Sequence, residues 1–120
     1  MTKTSLILLM ALTLWAAPAA TDLSGVWSLE LDPDFSGNPD TVGCGITQSG
    51  RKLAIKCGGA EFAGEVNNEQ VSWQFMTGSS NATTATFRGV MDSEGKSIEG
   101  TWHLASDPPQ DGRFKARKQS

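Results

Sequence analysis

From Gly25 to Lys118 the chain alternates apolar and polar residues in short runs, separated by Gly, Asn, Asp, Ser and Pro, and no window carries helical spacing. Alternation with a period of two is the pattern of half-buried strands, whose successive side chains point to opposite faces. Eight such runs are predicted: Gly25 to Leu31, Val42 to Gln48, Lys52 to Cys57, Ala60 to Val66, Glu69 to Phe75, Thr84 to Met91, Ser97 to Leu104, and Gly112 to Lys118.

The turns between runs predict registers. In "QSGRKL", Gly50-Arg51 suits a two-residue hairpin turn, which pairs Ser49 with Lys52, Ile46 with Ile55 and Cys44 with Cys57. The cysteines then face each other at a non-hydrogen-bonded pair, where side chains approach closely enough for a bridge. In "FAGEVNNEQVSWQF", Asn67-Asn68 is read as the turn, which sets Phe62 across from Trp73 and Gly64 across from Val71. A four-residue loop from Ser93 to Lys96 sets Met91 against Ile98, Gly89 against Gly100 and Phe87 against Trp102.

Each hairpin has one apolar face. Eight antiparallel strands of this kind bury that face, and lose both edges, by curling until the first strand meets the last. The expected fold is therefore an all-β, eight-stranded antiparallel up-and-down barrel with one cross-strand disulfide; a two-sheet sandwich is the alternative. Three tight turns fall at one rim. The longer links, "DPDFSGNPD", "GG", "MTGSSNATT" and "ASDPPQD", fall at the other, which is the expected mouth. Inward positions near it are Phe62, Trp73, Phe75, Phe87 and Trp102, and these five are the candidate ligand-contacting residues. Trp27 is expected near the floor. The interior can be filled by these rings or hold one small ligand.

Residues 1–20, "MTKTSLILLMALTLWAAPAA", combine a basic start, a short apolar stretch and a small-residue Ala17-x-Ala19 site, the pattern of a cleaved secretory signal. The stretch is shorter than a bilayer-spanning helix needs, so no membrane span is expected and residues 21–120 form a single secreted or periplasmic domain. Removing the leader takes away Lys3, one of ten basic residues, and none of the 13 acidic ones, which leaves a net charge of -4 and no reason to expect nucleic acid as a partner. The basic end "RFKARKQS" reads as a solvated face. Export makes a Cys44–Cys57 disulfide the expected fate of the two cysteines.

Two stretches invite a chemical reading. Asp32-x-Asp34-x-Ser36-Gly37 matches the early positions of a calcium loop, yet Gly43 stands where a bidentate Glu is required and Pro33 and Pro39 interrupt it. The segment reads as a turn, and no metal or cofactor is expected. His103, the single histidine, points outward without a nucleophile beside it. The inward face carries no ionisable cluster, so catalysis is not expected. Asn81-Ala82-Thr83 has the form of a glycosylation acceptor.

Gly25-Val26-Trp27, with Arg113, Lys115, Arg117 and Lys118 in the last strand, resembles the calycin pattern shared by lipocalins, avidins and small bacterial metalloprotease inhibitors. The resemblance implies that Trp27 plugs the floor and that a last-strand cation, Arg117, reaches over to it. "VSWQF", "TATFRG" and "GTWHL" look like avidin strands and imply that Trp73 and Trp102 line a ligand cup. Leu29, Leu31 and the absence of tyrosine remove the polar groups that biotin needs. The inhibitor branch implies an N-terminal segment, here "TDLSG", inserted into a protease. The expected function is non-catalytic binding of a small apolar or aromatic molecule at the mouth; the alternative is a protease inhibitor or protein-interaction module with a filled core, whose partner is an exported protein.

Overall fold

The computed structural model describes residues 22–77 and 83–119. The expected leader, residues 1–20, and Asn81 and Ala82 of the glycosylation motif lie outside them. Eight strands follow in order: β1 (Gly25–Asp32), β2 (Asp40–Ser49), β3 (Lys52–Cys57), β4 (Ala60–Asn67), β5 (Gln70–Thr77), β6 (Thr83–Met91), β7 (Ser97–Leu104) and β8 (Gln110–Lys118). Each pairs antiparallel with its sequence neighbours, and β8 returns to β1 through Trp27↔Lys118 and Leu31↔Phe114. The sheet is a closed barrel, which rules out the sandwich.

Turn chemistry sets most of the registers as expected. Gly50 takes φ +64°, and β2 and β3 pair Cys44 with Cys57, Ile46 with Ile55 and Ser49 with Lys52. The two sulfurs are bonded across a Cα separation of 4.2 Å. The β6–β7 hairpin pairs Met91 with Ile98, Gly89 with Gly100 and Phe87 with Trp102. Its loop is held by Asp92, whose carboxylate accepts from the Lys96 N–H at 2.8 Å.

The β4–β5 hairpin departs from expectation by two residues. Asn67 pairs with Gln70, so Asn68-Glu69 forms the turn, with Asn68 at φ +59°. Trp73 consequently lies opposite Gly64, and Val66, not Gly64, lies opposite Val71. A shift of two keeps every side chain on its own face. It also resolves a steric conflict: a Cβ at position 64 would stand 2.7 Å from the Ser72 carbonyl oxygen and 3.0 Å from the Trp73 Cβ. The tryptophan takes the side of the pair that glycine leaves open.

The same device recurs through the core. Pairing carries one inward row round the wall from Gly64 through Trp73, Phe87 and Trp102 to Gly112, with glycine at each end and three large rings between. A Cβ on Gly112 would come within 2.5 Å of the Trp102 indole. In the adjoining row Gly89 and Gly100 make room for Phe114, whose ring tip would meet a Gly89 Cβ at 2.9 Å. Large and small residues interdigitate, as dense packing requires. The resulting core holds no buried polar or charged residue among those described.

The floor is sealed from below. Leu23, ahead of β1, is fully buried, and its carbonyl accepts the Trp27 indole N–H at 2.8 Å. Gln48 accepts the Leu23 N–H at 2.8 Å through its side-chain oxygen and donates to the Gly50 carbonyl. The cation that reaches this corner is Lys118, whose ammonium lies 3.1 Å from the Asp22 carbonyl. Its even number gives it the inward parity of Phe114 and Ala116, which Arg117 lacks. No helix among the described residues is long and apolar enough to cross a membrane.

Candidate functional site

The opposite rim carries the β1–β2 link, Pro33 to Pro39, which folds inward over the barrel. Asp34 organises it: one carboxylate oxygen accepts from the Ser36 hydroxyl at 2.6 Å, the Ser36 N–H at 2.8 Å and the Asn38 N–H at 3.1 Å. The Asp34 N–H donates to the Asn38 carbonyl, and the Gly37 N–H donates to that of Asp34. The Ser36 hydroxyl first, and the Asn38 N–H next, hold the Asp34 carboxyl below the ordinary carboxylate value. One Asp34 carboxylate oxygen is thus engaged by the loop's own donors, which hold the segment in a turn.

This turn delivers Phe35 to the centre of the mouth. Its ring meets Trp102 edge-on with centroids 4.9 Å apart, and stands 6.3 Å from both Phe75 and Phe87. One residue before Asp34, the Pro33 carbonyl accepts the Trp102 indole N–H at 3.0 Å. Beneath Phe35 the rings continue: Trp73 stacks on Phe87 at 5.2 Å and 15°, and Phe62 meets Phe75 edge-on at 5.3 Å. Offset and edge-on contacts of this kind match the ring quadrupoles and add to the apolar burial.

Between Phe35 and the wall formed by β1 to β6 lies an apolar cleft of about 230 Å³. Leu29, Leu31, Val42, Cys57 and Ala60 line it together with Phe62, Trp73, Phe75 and Phe87; Asp40 is the one ionisable residue in the lining. Four of the five expected ligand-contacting residues therefore border a common space. Trp102 does not. It is 1% exposed, covered by Phe35 on one side and by Gly112 on the other, with its N–H already bonded. Trp73 and Phe87 are themselves buried and present only limited ring surface, whereas Phe62 and Phe75 are half-buried.

Other chemically suggestive groups lie outside the barrel. His103 and Asp111 face each other across β7 and β8, with Nδ1 and Oδ1 2.7 Å apart, and both are solvent-exposed. Lys52 and Glu65, Lys56 and Glu61, and Lys115 and Glu99 form exposed cross-strand ion pairs, worth little individually. Among the described residues no group of three His, Cys, Asp or Glu is placed to hold a metal ion.

No family model matches the chain, and no curated protein is similar enough to it to match.

Proposed function

We propose that the protein is an exported, non-catalytic binding protein that takes a small planar apolar or aromatic molecule in the cleft beneath Phe35. The observation that carries this reading is the continuity of the cleft with the ring cluster: Phe62 and Phe75 offer half-buried ring surface to a space of about 230 Å³ bordered by a single ionisable residue, Asp40. A dry apolar cavity of roughly 150 Å³ accommodates benzene, and drug-sized ligands occupy pockets of about 300 Å³ or more. The cleft therefore suits one ring or two fused rings.

The lining supports the non-catalytic reading. Acid-base and nucleophilic mechanisms need paired ionisable groups or an activated nucleophile around the substrate, and Asp40 has no such companion in the cleft. Export is supported by the leader-like residues 1–20 and by the Cys44–Cys57 disulfide, since such bonds persist in oxidising compartments.

Calorimetric titration of residues 21–120 with p-cresol and 2-naphthol tests the reading. Saturable one-to-one binding with a negative heat-capacity change is expected, abolished by Ala60→Phe, which fills the cleft from β4. Absence of heat and of any change in tryptophan emission with both compounds would sink it.

The density of the ring packing favours a second reading, an interaction module that recognises an exported protein. Its inhibitor form has less support. Leu23 is in the core, its N–H donates to Gln48 Oε1 and the Ser24 hydroxyl accepts the Gln48 N–H, which argues against Leu23 and Ser24 entering a protease cleft.

A further inference from the structure

The β1–β2 link is a polar segment carrying a single large apolar side chain, and that side chain is spent on the mouth. Phe35 packs against Phe75, Phe87 and Trp102 and roofs the cleft. Its ring stands where the outer ring of an aromatic guest would make the same ring contacts, edge-on to Trp102 and stacked on Phe75.

The loop's ties are unevenly distributed. Asp34, Ser36, Gly37 and Asn38 bond to one another and make the turn self-contained. To the barrel wall it is tied by one described hydrogen bond, Trp102 Nε1–H to the Pro33 carbonyl, together with the Phe35 ring. A rigid unit with so few external ties opens at a free-energy cost well below that of global unfolding.

We propose that Phe35 is the specificity-determining residue of the cleft: a ring from the protein's own chain that occupies the outer part of the binding space and sets the size of guest admitted. It swings away with its loop when the Trp102–Pro33 bond opens. The proposal rests on the cleft being the binding site, and it adds two things to that reading. With Phe35 seated the cleft favours a single ring and takes two fused rings more weakly; with Phe35 displaced or removed it takes the fused system fully.

Two measurements decide it. The first needs no guest: solvent exchange of the indole N–H protons, followed by NMR. Trp27 and Trp102 are both 1% exposed and both bonded to a backbone carbonyl, one at the floor and one on the loop. Exchange at Trp102 is expected to be about 100-fold faster than at Trp27, because loop opening releases only the former. Equal rates would mean that the loop opens only with the whole barrel, and would overturn the proposal.

The second compares p-cresol and 2-naphthol binding to the wild type and to Phe35→Ala. The substitution is expected to tighten 2-naphthol about tenfold, by freeing apolar surface for its second ring, and to weaken p-cresol, which loses its contact with the Phe35 ring, so that the preference shifts toward the larger guest. Unchanged or weakened 2-naphthol binding would refute the size-setting role. If neither compound binds either protein, the cleft reading falls and the size-setting role falls with it, while the exchange comparison still decides whether the loop opens alone. Should Phe35→Ala fail to fold, Phe35→Leu, which retains an apolar side chain, replaces it.

Discussion

Gly89 and Gly100 face each other across β6 and β7, and neither has space for a methyl group. A Cβ on Gly100 would fall 2.5 Å from the Gly89 Cα and closer still to the Arg88 carbonyl oxygen, both backbone atoms that no rotamer change can move aside. Gly100→Ala is therefore expected to cost about 3 kcal/mol or more, at the upper end of overpacking effects. Gly45→Ala, where a Cβ meets nothing within 4 Å, should change stability by less than about 1 kcal/mol. Urea midpoints of the two variants provide the comparison.

The Cys44–Cys57 bond closes a loop with a sequence separation of 13. Constraining a loop of that size in the unfolded chain contributes about 3 kcal/mol in the chain-entropy description. Reduction, or replacement of both cysteines by alanine, is expected to lower the melting temperature by more than about 10 °C in a domain of this size. The barrel ladder should survive, so the far-ultraviolet dichroism below the transition should be unchanged.

Leu23 is as important to the core as any strand residue. Leu23→Ala removes a fully buried side chain beside Trp27 and is expected to cost about 2–5 kcal/mol. Its effect on Trp27 should appear as a red shift of the emission in the folded state. Truncation through Ser24 should destabilise at least as much, so loss of any activity on truncation has to be corrected for folding before it is read as contact with a partner.

Acid should loosen two loops at once. Asp92 is held below the ordinary value of 3.8 chiefly by the Lys96 N–H, and Asp34 chiefly by the Ser36 hydroxyl. A carboxylate with a depressed folded-state value contributes stability that is fully present above its unfolded value and is lost as pH falls through the folded one. Stability should therefore be flat in this respect above about pH 5 and decline below about pH 4. Replacing either aspartate by alanine should lower stability at neutral pH and flatten the decline. Urea midpoints between pH 2.5 and 6 measure both effects.

The strands were readable from alternation and turn residues alone: Lys52–Cys57 and Ser97–Leu104 coincide with their expected spans, and the other six lie within two residues. Alternation tells which face a residue occupies, because a one-residue error would expose the whole apolar set. It is blind to shifts of two. Asn67 and Asn68 both tolerate positive φ, and what separates the two registers is a distant matter, the fit of Trp73 against Gly64.

The site was legible only in outline for the same reason. Face assignment put Trp102 among the mouth aromatics, but its concealment depends on Phe35 and on the Pro33 carbonyl 69 positions away in sequence. Phe35 and Leu23 lie in non-periodic segments, so no pattern marks them as inward. A large apolar residue isolated in a polar loop was the available signal for Phe35. Lys118, the cation at the floor, was distinguishable from Arg117 by parity alone.

Because β8 closes onto β1 through six paired residues, more than the four that join β4 to β5, the order in which the chain visits the strands carries little of the fold's energy. A short linker from Gln119 back to Asp22 across the floor, with a new opening cut at Gly50-Arg51, would preserve all eight ladders while separating the bridged strands into first and last. The molecule's architecture belongs to a cycle of strands, and its linear numbering is only one way of reading that cycle.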